Sequence, residues 1–302
     1  MTIKHSQFRE HGKVSVNANL CTHCGLCVNT CPAEALSIDN GKILQIDSAF
    51  GCIACGHCMM VCPNDAIKVS GRGISPEDIV DLPSDDRIAT QQQLSNLFIS
   101  RRSVRKFTDK PVEPEKLEKI IEMASTAPMG IPPWDVGCVT VTGRQNVRKL
   151  SDDVVKGYEG LLKIFKPWLL RLMRPMLGKA KYEMFNDFIL PLAKTYIEHN
   201  RQGRDVIFYD APAVMVFHYS PFTESTDATI ACTYAMLAAE SLGLASTIIG
   251  GAAPIIQRNK KLCKSLGVPE GNTPSVVLIV GYSAVKFRKA IRRNFSHINT
   301  TN

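Results

Sequence analysis

Short stretches in the first seventy residues alternate apolar and polar positions: Val14-Ser-Val16, Leu36-Ser-Ile38, Lys42-Ile-Leu-Gln-Ile46 and Ile67-Lys-Val69. Alternation with period two predicts short strands, and Asp39-Asn40-Gly41 predicts a tight hairpin turn between two of them. From Thr90 the period changes. Leu94, Leu97 and Phe98 recur at helical spacing, as do Leu117, Ile120, Ile121 and Ala124, which follow Glu113-Pro114, a helix start with proline in its first turn. Val136 to Val141 reads as a strand. The pattern predicts an α+β chain with a small strand-rich unit ahead of a larger mixed one.

Ser70-Gly-Arg-Gly73, Ser75-Pro76 and Asp81-Leu-Pro-Ser-Asp-Asp86 concentrate breakers and acidic residues between the two. The expected division is residues 1–72, a linker at 73–90, and residues 91–302. At 302 residues, 45% hydrophobic and 21% charged, the chain has the composition of a soluble globular protein. The N-terminal residues hold no apolar signal region, and the uncharged run Ser241 to Gln257 is short and broken by Gly243, Gly250, Gly251 and Pro254. No transmembrane helix and a cytoplasmic location are expected.

Cysteine usage changes the picture. Of eleven cysteines, eight lie between Cys21 and Cys62, and they repeat at an offset of 31: Cys21, Cys24, Cys27, Cys31 and Pro32 return as Cys52, Cys55, Cys58, Cys62 and Pro63. Each copy reads C-x2-C-x2-C-x3-C-P. Three cysteines two residues apart let one loop wrap three corners of a cubane, and the proline then turns the chain away. Zinc also uses C-x2-C pairs but separates them more widely, whereas this run crowds four cysteines into eleven residues. His23 and His57, inside the loops, read as exposed groups rather than ligands. Over residues 10–71 the sequence resembles the two-cluster bacterial ferredoxins. That resemblance implies two [4Fe-4S] clusters, one on Cys21, Cys24, Cys27 and Cys62 and the other on Cys52, Cys55, Cys58 and Cys31.

Charge is divided as sharply. Residues 1–90 carry 7 Lys and Arg against 10 Asp and Glu, and residues 91–302 carry 29 against 18, within a net charge of +8. A basic excess can mean nucleic acid or a membrane surface, and bound anions are the simpler explanation. No nucleic-acid-binding signature accompanies it, so a bound anion and no nucleic acid are expected. Arg101, Arg102 and Arg105, with Ser103 among them, are suited to phosphate because guanidinium forks match its oxygens.

Past that motif, the helix from Glu113, the loop Ala127-Pro-Met-Gly-Ile-Pro-Pro-Trp134 and the strand after it resemble the flavin-dependent nitroreductase family. Phe208 to Phe217 resembles the family's next strand, Asp227 to Gly243 its central buried helix, and Ser275 to Tyr282 a late strand. The resemblance implies an FMN-dependent α+β domain and a homodimer. It places Arg101, Arg102, Ser103 and Arg105 on the FMN phosphate and ribityl chain, with Arg292 or Arg293 returning to the same phosphate. Gly250 and Gly251 would lie against the ring, and Pro128, Met129 and Gly130 would reach it from the partner subunit. Ala127, Gly130 and Pro132 stand where many relatives carry polar side chains, so backbone contacts are expected there instead.

Residues 150–205 read as a helical insertion, with nine basic and three acidic side chains over residues 148–181. A lid or dimer element, with Trp168, Met173 and Phe185 lining a substrate pocket, is favoured over an interfacial membrane helix because Pro167 and Pro175 interrupt the amphipathic face. Cys138, Cys232 and Cys263 read as small buried hydrophobes, and His218 as structural.

The combined expectation is an iron-sulfur flavoprotein oxidoreductase in which the flavin, not a catalytic side chain, carries the chemistry. NAD(P)H or a redox protein would be the donor, and a nitroaromatic, quinone or enoate-like molecule the acceptor. The rival is a non-catalytic electron-transfer or redox-sensing module acting on a protein partner.

Overall fold

A computed structural model describes residues 10–49, 51–130 and 135–301. Pro132 and Trp134 of the expected flavin loop lie outside the described residues. In the N-terminal unit, β1 (Lys13–Val16), β2 (Leu36–Asp39), β3 (Lys42–Gln45) and β4 (Ile67–Ser70) form two antiparallel pairs, β1 with β4 and β2 with β3. Asn40 and Gly41 both have positive φ, 46° and 75°, as a two-residue turn matched to strand twist requires. Two one-turn helices, α1 (Leu26–Asn29) and α2 (His57–Met60), lie within the cysteine runs and carry Cys27 and Cys58.

The sequence repeat persists in the backbone. His23 and Ala54, Gly25 and Gly56, and Glu34 and Asp65 are all left-handed, with φ of 57° and 54°, 74° and 75°, and 50° and 50°. Each half bends its loop at the same places. Residues 73–90 hold no strand or α-helix, only two 3-10 turns at Pro76–Asp78 and Asp85–Arg87.

The second unit begins with α3 (Gln91–Ser100), whose first turn is closed by a reciprocal Thr90–Gln93 capping box. Leu94 and Phe98 stay exposed on its surface. Then come α4 (Pro114–Ser125), β5 (Val136–Thr142), α5 (Arg144–Ile164), α6 (Pro167–Leu177), α7 (Lys179–Glu183) and α8 (Leu190–Arg201). The chain ends with β6 (Ala213–Tyr219), α9 (Ser225–Ser241), β7 (Ala245–Ile249), α10 (Ala253–Ile256), α11 (Lys260–Leu266) and β8 (Thr273–Gly281).

The four long strands make one antiparallel sheet in the order β5-β6-β8-β7. Helices cover both faces, which is why its inner strands read as continuous apolar runs rather than alternating ones. Val214, Val216, Val277 and Ile279 pack under α5, α8 and α10 on one face. Ala213, Met215, Phe217, Leu278 and Val280 pack against α4 and α9 on the other.

Two expectations change. The strand expected from Phe208 starts at Ala213 instead. The Asp205 carboxylate accepts the Ile207 and Phe208 amides at 3.0 and 2.9 Å and the Ser151 hydroxyl at 2.7 Å, folding residues 205–212 into a turn with Tyr209 and Asp210 left-handed. Residues 150–205 are also not a simple insertion. Their first part is the C-terminal portion of α5, and Leu150, Val154, Tyr158, Ala193 and Ile197 belong to the core, so both end helices form a layer of the fold. Only the stretch from α6 to Ile189 stands largely exposed. Among the described residues no helix is long and apolar enough to cross a membrane.

Candidate cofactor sites

The repeated loops enclose two cavities. Cys21, Cys24, Cys27 and Cys62 line one, and Cys31, Cys52, Cys55 and Cys58 line the other. The fold thus sorts the eight thiols into two quartets, each with three sulfurs from one run and the fourth from the other. Three sulfurs from one tight loop and a fourth from the other run is an arrangement that suits a cubane.

Backbone amides support the sulfurs: Ala35 donates to Cys31 Sγ at 3.4 Å and Ala66 to Cys62 Sγ at 3.3 Å, again 31 residues apart. Burial raises the Cys27 and Cys52 thiols and pushes Cys58 up to about 12, with neighbouring cysteines adding to it. Such thiols ionise together only around a cationic core. His23 and His57 are exposed, as the sequence indicates.

The arginine motif is pinned to the edge of the large sheet. Val104 is buried, donates to the Ser246 carbonyl at 3.2 Å, and accepts the Thr247 hydroxyl at 2.5 Å, so residues 101–105 run beside β7. β7 leads directly into Gly250-Gly251. Arg101, Arg102, Ser103 and Arg105 are therefore brought to the same edge as the two glycines. None of the three guanidinium groups is paired with a carboxylate among the described residues. A Cβ on Gly250 would meet nothing within 4 Å, which leaves its backbone open to a ligand.

Three tyrosines that sequence reasoning missed complete this edge. Arg105 stands 5.8 Å from the centre of the Tyr209 ring, Tyr196 lies near both, and Tyr158 stacks edge-on against Tyr196 with centroids 5.3 Å apart. The Tyr158 hydroxyl then donates to the Gly251 carbonyl at 2.8 Å. Burial pushes the Tyr158 phenol up to about 12, so it remains a donor. Open glycine backbone, unpaired cations and phenols together fit a phosphorylated planar cofactor.

Pro128, Met129 and Gly130 stand elsewhere. Met129 lines a cavity with Ile121, Gly137, Cys138 and Phe217 beside β5, at the opposite edge of the sheet from β7. Three strand spacings, roughly 15 Å, separate the edges. One chain does not bring this loop to the arginines, and Arg292 and Arg293 lie in an exposed tail. Trp168 is exposed on the outside of α6, while Phe185 packs on Phe165 at 5.3 Å and against the core. Neither lines this edge. Cys232 is fully buried as expected, and Cys138 and Cys263 partly so.

A two-quartet thiolate unit ahead of an α+β unit with a basic, glycine-flanked sheet edge defines the class of an iron-sulfur flavoprotein. Residues 99–282 match the model of the nitroreductase family, and residues 13–71 match that of the 4Fe-4S dicluster domain. The chain belongs to the nitroreductase family. It is 28% identical over 191 residues to an FMN reductase [NAD(P)H] of Bacillus subtilis, covering 63% of this chain and 66% of that one. It is 47% identical over 34 residues to a probable ferredoxin of Methanosarcina thermophila, covering 11% of this chain and 59% of that one. In both pairs the match spans less than two thirds of the relative. A solved nitroreductase with bound FMN from Bacteroides fragilis superposes with a TM-score of 0.54 at 20% identity, over 70% of this chain and 99% of that one. One from Desulfitobacterium hafniense superposes at 0.50 and 20%, over 69% and 97%.

Proposed function

We propose that the protein is an iron-sulfur flavoprotein oxidoreductase that takes single electrons through two [4Fe-4S] clusters to FMN for two-electron reduction of an organic acceptor. The observation that carries this reading is the presence of two four-cysteine cavities on the same chain as a nitroreductase unit with an unpaired arginine cluster at its sheet edge. When bound, FMN supplies one- and two-electron chemistry and the clusters supply one-electron steps.

The chain's own residues do the positioning. Arg101, Arg102 and Arg105 neutralise the phosphate, Ser103 adds a hydroxyl, and Gly250-Gly251 present backbone to the ring. Tyr158 fixes the Gly251 peptide. Pro128, Met129 and Gly130 serve the site of a second copy, so the working unit is a homodimer in which each flavin site draws on both chains. Arg292 and Arg293 of the tail contribute further charge at the phosphate. Quinones, nitroaromatics and enoate-like molecules are the acceptor class, because each takes two electrons at an apolar, planar group.

An anaerobic visible titration tests the proposal, with NADH, then NADPH, then a reduced low-potential ferredoxin added while the flavin band and the broad iron-sulfur absorbance are followed. Bleaching of both chromophores by the ferredoxin and reoxidation by a quinone is the expected result. A protein that holds no flavin, or whose flavin never reoxidises with any acceptor of this class, would overturn it. Direct bleaching by NADH or NADPH would identify nicotinamide as a donor to the flavin.

A further inference from the structure

The two halves of the ferredoxin-like unit are not equivalent. In the first loop Thr22, His23 and Cys24 are exposed, whereas their counterparts in the second, Ile53, Ala54 and Cys55, are buried or half-buried. The 31-residue offset also carries Gly41 onto Arg72, and both are left-handed, with φ of 75° and 52°. A Cβ on Gly41 would meet nothing within 4 Å. At Arg72 the chain accepts a backbone strain that glycine would avoid.

That strain places a cation in the interior. Arg72 is 5% exposed, and its Nε and Nη2 have no hydrogen-bond partner among the described residues. The preceding Gly71 packs against the backbone of His11 and Gly12, at 3.5 and 3.6 Å from the position of a Cβ. Gly12 in turn donates to the Cys52 carbonyl at 2.7 Å, and a Cβ on it would stand 2.8 Å from Cys52 Sγ. Burial lowers the Arg72 pKa, while the charges of Asp135 and Cys52 act against that. A desolvated guanidinium is costly unless negative charge is close. Asp135 supplies part of that charge and the Cys52 thiolate of the second quartet the rest.

We infer that Arg72 sets the direction of electron flow within this unit, making the Cys31, Cys52, Cys55 and Cys58 site the better electron acceptor and the exposed Cys21 loop the entry point for a one-electron donor protein. This rests on both quartets holding clusters. Reduction adds one negative charge to a site, and burial alone would make the second site the poorer acceptor. A fixed positive charge in the same low-dielectric surroundings reverses that order. One electron leaves the donor protein, which is oxidised by one. The exposed site is reduced and then reoxidised as the buried site is reduced, and no bond or proton changes hands.

The test is a redox titration of the intact holoprotein followed by low-temperature electron paramagnetic resonance, for wild type, Arg72→Gln, Arg72→Lys and Asp135→Asn. In Arg72→Gln one couple falls by at least tenfold in its reduction equilibrium, 59 mV for one electron, and the other stays in place. Arg72→Lys restores most of the shift. Asp135→Asn, which removes an opposing charge, moves the same couple upward. If Arg72→Gln does not retain both clusters, the upward shift in Asp135→Asn decides the matter. Both couples unmoved in variants that keep their full iron content would overturn the inference, as would both moving together. Wild-type protein with iron for only one cluster would instead overturn the two-cluster reading on which it rests.

Discussion

The hydroxyl of Tyr158 donates to the carbonyl of Gly251 at 2.8 Å, joining a helix on one face of the sheet to the turn that ends β7. This bond fixes the orientation of the peptide expected to face the flavin ring. Tyr158→Phe removes one buried hydrogen bond and leaves a carbonyl without its partner, a loss of about 1 kcal/mol in stability. The flavin band should shift or broaden because the Gly251 peptide is freed, and thermal melting together with the flavin spectrum checks both effects. A Gly251→Ala change reaches the same place from the other side, since its Cβ would stand 2.8 Å from the Tyr158 oxygen.

The cross-pairing of the cysteine runs makes a sharp prediction. Cys62 lines the cavity of the first run and Cys31 that of the second. Cys62→Ala should lose the cluster at the exposed loop and Cys31→Ala the buried one, each taking the iron content from about eight to about four per chain. Paramagnetic resonance of the two variants should give different residual signals that add to the wild-type spectrum. Loss of the same signal from both variants would contradict the pairing.

Among the described residues no carboxylate pairs with Arg101 or Arg105 at the β7 edge, so their charge is available to a bound anion. Replacing both by alanine removes charge-assisted hydrogen bonds worth about 1.5–3 kcal/mol each. FMN affinity should fall by roughly two to four orders of magnitude. The ratio of flavin to protein absorbance after gel filtration measures it, and fluorescence of released flavin gives the dissociation constant. A steeper salt dependence in wild type than in the variant is expected because the interaction is ionic.

Much of the ferredoxin-like unit was legible because its chemistry is local: three thiols of each quartet fall within seven residues, and the fourth follows from the repeat. The nitroreductase-like site is different. Arg101 to Arg105 stand out as a cluster of like charges, and Gly250-Gly251 as a breaker pair, but Tyr158, Tyr196 and Tyr209 reach the same edge from α5, α8 and the turn before β6. Each tyrosine sits in an ordinary helical or loop pattern, and only the packing of α5 on α8 brings them together. Arg72 was hidden for another reason. A lone arginine between two glycines reads as linker, and its role depends on a turn that folds it inward.

His218 offers a test through acidity. It is 5% exposed on β6, it lies 3.0 Å from the Asn272 amide through Nδ1, and burial lowers it to about 4. Its ring also occupies the space in which a Cβ on Gly137 would come within 2.3 Å, so the site holds neutral imidazole against glycine backbone. The unfolded chain, with an ordinary histidine near 6.5, binds more protons than the folded one between about pH 4 and pH 6.5. This contribution is fully present above pH 6.5 and is lost as pH falls through that window, to a limit of about 3 kcal/mol. Denaturant midpoints of the flavin unit should therefore drop from pH 7 to pH 5 in wild type. His218→Gln keeps an acceptor for Asn272 and cannot gain a proton, so its midpoint should drop less over the same range. Equal slopes in the two proteins would show that other groups govern the acid sensitivity.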